Sequence, residues 1–172
     1  MIQADLVKQK VEIMSNRLLG SVLIISAVVL AVNGMRSTPL DMLGSAAYVL
    51  WGIGGIAGIM GLIGLNALGT NPVARALGFI PIIGFAAFIL ADGLRLIGVI
   101  QSTDPLYDTL AAIAWIGMLA GMLIVGILTI AAKTWKGWRR FIPLLAIAIL
   151  PLAFGIDAAM AGKLLSLGVA AI

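Results

Sequence analysis

Chemistry in this chain is confined to a few polar side chains set in long apolar runs. The strings Ala31-Val-Asn33-Gly-Met-Arg36 and Leu90-Ala-Asp92-Gly-Leu-Arg95 each place a carboxamide or carboxylate three residues ahead of an arginine, and a further acid, Asp157, ends the apolar run that begins at Phe141. An acid and an arginine three residues apart share a helix face, so Asp92 and Arg95 can pair. Asp157 has no cation as near, because Lys163 is more than a turn away. Counted from the other end of these helices, Asn33, Asp92 and Asp157 all lie about 15 residues, roughly 23 Å, along the axis.

An ionised Asp or Arg at the centre of a membrane helix costs about 2.5–3.5 kcal/mol, less near the interface, so such residues face a partner or a wet cavity. Asn33, Arg36, Asp92, Arg95 and Asp157, with Tyr48 and Trp51 beside them, are therefore a candidate outward-facing polar site. The same residues also fit a plain salt bridge at a helix end, with arginines snorkelling to the headgroups. If Asp92→Asn and Asp157→Asn left every cellular phenotype intact, the site would be excluded.

Other chemistries fail on composition. The chain has no Cys and no His, which removes histidine-ligated pigments, thiolate metal sites and disulfides. HExxH and Gly-x-Ser-x-Gly are missing, and Gly69-Thr-Asn-Pro72 lacks the lysine of a phosphate loop. No cofactor or metal is expected, and the protein is not expected to be an enzyme.

The elements that must position the polar residues follow from the apolar content. Of 172 residues 62% are hydrophobic and 10% charged, with a mean hydropathy of +1.18, against about 45–50% and 25% in soluble domains. A bilayer core takes about 20 apolar residues in a helix, which predicts spans at residues 18–35, 42–69, 76–100, 109–132 and 141–162. The expected fold is an all-α integral membrane protein of five transmembrane helices. Residues 1–16 form an N-terminal segment, residues 17–165 the membrane domain, and residues 163–172 a short tail.

The N-terminal segment is too polar to span. Plotted as a helix it has an apolar side with Ile2, Leu6 and Val11 and a polar side with Lys8 and Glu12, as an interfacial helix would; a start at Met14 is the alternative. The first apolar run ends without a small-residue cleavage site, so it is not expected to be a cleaved signal.

Charge sets the orientation. Eleven Lys+Arg against seven Asp+Glu give +4, and four of the cations stand with Trp135 and Trp138 in the loop Lys133–Arg140. Cations retain a loop in the cytoplasm and indoles anchor at the interface, which predicts a cytoplasmic N-terminus and an extracytoplasmic C-terminus in a cell membrane of the prokaryotic inner-membrane kind. The net positive charge is thus topological and not a sign of nucleic acid. The same loop would attract anionic headgroups by about 1 kcal/mol per cation.

Two further patterns concern packing. The related strings around Asn33 and Asp92, the pairing of Trp51 with Trp115 and that of Ala57-Gly58 with Ala120-Gly121 predict a degenerate parallel two-helix repeat, with the fifth span as an extra helix. Gly54, Gly58, Gly61, Gly117 and Gly121 give spans two and four small-residue faces suited to close helix packing, within the chain or against another subunit. Pro81 and Pro151 fall inside spans three and five and predict bends.

The expected function is that of a non-catalytic integral membrane protein, an accessory or scaffold subunit in a membrane assembly. Its partners are then the lipid bilayer and other membrane subunits, or copies of itself. The alternative is a small oligomeric carrier or channel subunit for an ion or polar solute, using the Asp/Asn/Arg level; an outer-face sensor or lipid-binding module would use the same residues.

Overall fold

The computed structural model describes residues 18–30, residue 32 and residues 42–145. Among these residues all regular structure is helical and no strand forms. α1 spans Leu18–Leu30, α2 Met42–Gly64, α3 Pro72–Leu77, α4 Ile80–Leu96 and α5 Pro105–Ala132, followed by a short 3-10 turn at Gly137–Phe141. Three helical stretches, Met42–Gly64, Pro72–Leu96 and Pro105–Ala132, are long and apolar enough to cross a membrane. The later part of the first expected span and all but the start of the fifth lie outside the described residues, as do the N-terminal segment, the C-terminal tail and Pro151.

The helices begin and end by local rules that hydropathy does not detect. α3 starts at Pro72, with the Asn71 side chain accepting a hydrogen bond of 2.9 Å from the Val73 N–H; α5 starts at Pro105, where a missing N–H costs nothing. α2 stops at Gly64, five residues before its apolar run does, because Asn66 turns left-handed (φ 52°). The Ala67 and Asn66 amides then donate back to the Leu62 and Ile63 carbonyls. Gly98 (φ 74°) closes α4 in the same way, with Val99 and Gly98 donating to Leu94 and Arg95. Both are Schellman closures, which satisfy the last carbonyls of a helix.

The third run is therefore not one span over 76–100. Its helical stretch starts at Pro72, turns at Gly78 and Phe79, and ends at Leu96. Pro81 sits in the first turn of α4 and not in a helix interior, so it removes a donor that would have no helical acceptor and bends nothing.

α4 packs against both α2 and α5, and the contacts run through glycine. The α4–α5 crossing brings Gly84 against Gly117, where an added Cβ would lie 3.0 Å from the Gly84 Cα, and Gly121 against the backbone of Pro81. On α2, Gly52 and Gly55 receive Ile89 and the ring of Phe85 from α4. Gly54 and Gly58 lie on another side of α2, where Cβ atoms would collide with Ser26 and come within 3.1 Å of Leu23 in α1; one on Gly61 would stand 3.8 Å from the Leu19 Cβ. In lipid, where tails compete with apolar side chains, such backbone approach supplies the dispersion that holds helices together.

At the end of the bundle formed by the C-termini of α2 and α5, the connections are joined. The Thr134 hydroxyl donates to the Ala67 carbonyl over 3.0 Å, and Leu68 is buried against Gly78. This end carries Arg75, Lys133, Lys136, Arg139 and Arg140. Asp92, Asp104, Asp108 and Arg95 are at the opposite end.

Candidate functional site

The opposite end is where the polar side chains converge, each placed by a helix terminus. The first turns of α2 bring Ser45 and Tyr48, the last turns of α4 bring Phe88, Asp92 and Arg95, and the first turns of α5 bring Tyr107 and Trp115. Spacing explains the shared faces: Ser45 and Tyr48 are one turn apart, as are Asp92 and Arg95, while Tyr107 and Trp115 are two turns apart.

Beneath the polar level lies an aromatic layer. Trp51 meets Phe85 and Phe88 edge-on at centroid distances of 5.6 and 5.2 Å, Phe88 meets Trp115 edge-on at 5.2 Å, and Tyr48 stacks on Phe88 at 6.4 Å. Edge-to-face pairs of this kind add about 0.5–1.5 kcal/mol each beyond area burial. The rings interlock three helices and leave a floor that cannot rearrange freely.

Above the floor is a cavity of about 100 Å³ lined by Tyr48, Phe88, Asp92, Tyr107 and Trp115 together with small side chains. A second, more open groove of about 360 Å³ lies beside it, lined by Met42, Ser45, Arg95, Ile97 and Gly98 among others. Arg95 lines the groove, and its Cζ stands 5.8 Å from the ring centroid of Tyr107, a residue of the cavity wall.

Asp92 is the central group. It is only 2% exposed, its polar neighbours are Ser45, Arg95 and Tyr107, and its Oδ1 has no hydrogen-bond partner among the described residues. The Ser45 hydroxyl, 1% exposed, is likewise without one. A buried polar atom left unpaired costs about 1–3 kcal/mol and more when charged. By contrast the buried Thr129 hydroxyl donates to the Val125 carbonyl at 2.8 Å, so burial in this bundle does not of itself leave a hydroxyl unpaired.

Of the residues expected at the site, the structure brings Asp92, Arg95 and Tyr48 together around the chamber, and Trp51 lies in the floor below. Asn33, Arg36 and Asp157 lie outside the described residues. Ser45, Tyr107, Phe88 and Trp115 were not read from sequence as part of it. Ser45 was within reach, one turn ahead of Tyr48 on the same face, but Tyr107 sits in a connection that reads as a turn. No group of three Asp, Glu, His or Cys side chains comes together among the described residues.

Compared with protein-family models, curated proteins and solved structures, the chain gives no match. Function is therefore argued from the geometry of the site, where function resides whatever the fold.

Proposed function

We propose that this chain is a non-catalytic polytopic membrane protein that acts as a small carrier or channel subunit, holding a polar solute or ion at the Asp92 chamber. The observation that carries this is the buried Asp92 carboxylate, which opens on a cavity with one oxygen unpaired. Packing alone does not call for such a group, and an ionisable residue kept within a membrane helix is by default a functional one. With the loop Lys133–Arg140 cytoplasmic, the chamber faces outward.

Five membrane helices and a two-helix repeat are part of this proposal. The repeat is supported by its own contacts: α1 crosses α2 at Gly54 and Gly58, and α4 crosses α5 at Gly117 and Gly121. Trp51 and Trp115, matched in it, stand 6.5 Å apart between centroids.

An accessory or scaffold role is the second reading, supported by the short connections, which leave no aqueous domain between the described helices. In that case a foreign partner copurifies in fixed proportion in mild detergent, and the chamber stays dry.

The absence of native cysteine makes the test direct. An Ala111→Cys variant, in the wall of the chamber, reacts with a charged, membrane-impermeant thiol reagent added outside, as an exposed Gly98→Cys does, while Ile53→Cys on the apolar exterior does not. Should Ala111→Cys remain as inert as Ile53→Cys, the chamber is sealed and the carrier reading fails.

A further inference from the structure

We propose that the ligand of the Asp92 chamber is a small organic ammonium cation of a few non-hydrogen atoms. This rests on the reading of the chamber as a solute site and names its substrate class.

The walls decide the sign of the charge. A carboxylate that is 2% exposed, with Oδ1 unpaired, lines the cavity. Its one charged neighbour, Arg95, lines the groove and not this cavity, so the wall offers a solute an acceptor of negative charge and no cation, which favours a positively charged donor. The remaining walls decide the kind of cation. Tyr48, Phe88, Tyr107 and Trp115 present rings from all three helices, and ring faces attract cations within about 6 Å by their quadrupoles, most of all when water is excluded. An alkali ion would need a shell of oxygens in place of its waters, and apart from Asp92 and the two phenols this cavity is lined by carbon and an indole. Alkylammonium ions are weakly hydrated and spread their charge over methyl or methylene groups, so rings and one carboxylate suffice for them.

Volume sets the size. At about 30 Å³ per water in the liquid, a cavity of about 100 Å³ takes a species such as methylammonium or tetramethylammonium and no bulky amine. Edge-on contacts between Phe88 and its neighbours Trp51 and Trp115 hold the floor against expansion.

Arg95 acts as an internal competitor. It is an electrostatic neighbour of Asp92 and lies over Tyr107 at the groove. A cation entering the chamber takes over part of the carboxylate's attention, and the guanidinium turns toward the groove. Binding is then weak and reversible, as transport requires.

The test titrates the purified chain in detergent with tetramethylammonium, methylammonium, sodium and potassium chlorides, and with betaine, at matched ionic strength, following tryptophan fluorescence. The organic cations give a saturable change and the alkali ions none. Asp92→Asn weakens the response at least about tenfold, Tyr48→Leu weakens it by about the same factor, and Arg95→Gln strengthens it. Each variant is checked for unchanged elution and helical content, and Tyr48→Leu keeps the test decisive if Asp92→Asn does not fold. A saturable response to sodium or potassium alone, or to betaine with dependence on Arg95, overturns the ammonium assignment. So does no response to any cation in a protein whose Ala111→Cys variant is labelled, and that outcome leaves the solute site standing. An inert Ala111→Cys removes both.

Discussion

Asp92 is almost wholly buried within α4. Its neighbours are Ser45, Arg95 and Tyr107, yet one oxygen goes unpaired, so the charge is held at a cost to stability that functional sites commonly carry. Asp92→Asn keeps the shape and removes the buried charge, and Arg95, partly buried at the groove, keeps the Tyr107 ring as a partner. The expected outcome is a rise in thermal midpoint in detergent of about 2–4 °C, equivalent to roughly 1 kcal/mol in a chain of this size, together with loss of cation response. A fall in midpoint would make Asp92 a structural partner of Arg95 instead. The couple of Asp92 and Arg95 was legible from i,i+3 spacing. Ser45 and Tyr107 were not, because they reach Asp92 from α2 and α5, and no spacing along one helix encodes which residues of another arrive beside it.

At the scale of elements, the glycines divide by neighbour. Gly121 faces the Pro81 backbone, whereas no atom stands within 4 Å of a Cβ at Gly93. Gly121→Ala is expected to force α4 and α5 apart and destabilise by about 1–3 kcal/mol, while Gly93→Ala, in the interior of α4, stabilises by about 0.5–1 kcal/mol through helix propensity alone. Thermal unfolding of the two variants side by side checks this, and equal effects would mean that the α4–α5 crossing is not held by Gly121. Gly58 contacts Leu23 within the chain, so Gly58→Ile is expected to disturb the docking of α1 on α2. Helix ends were the least legible feature. The apolar runs continue past Gly64 and Leu96, but left-handed Asn66 and Gly98 end the helices there, and a hydropathy count cannot distinguish an apolar residue in a helix from one in its closing turn.

At the scale of the whole molecule, charge among the described residues is separated along the bundle axis: five cations stand at one end, and Asp92, Asp104, Asp108 and Arg95 at the other. Under the bias of cytoplasmic loops toward Lys and Arg, single-cysteine variants are expected to label asymmetrically. Ser102→Cys reacts with an impermeant reagent in intact cells, and Lys136→Cys only after permeabilisation; the opposite pattern would invert the protein and turn the chamber to the cytoplasm. That this is an apolar helical chain suited to a membrane, without histidine or thiol chemistry, was determined by the sequence alone, since run length and composition bear on those properties whatever the packing. Tertiary structure alone decided that Asp92 lies among Ser45, Arg95 and Tyr107 over a floor of interlocked rings. The reason is that helices cross where glycines allow the closest backbone approach, and the register of those crossings determines which distant side chains share a cavity.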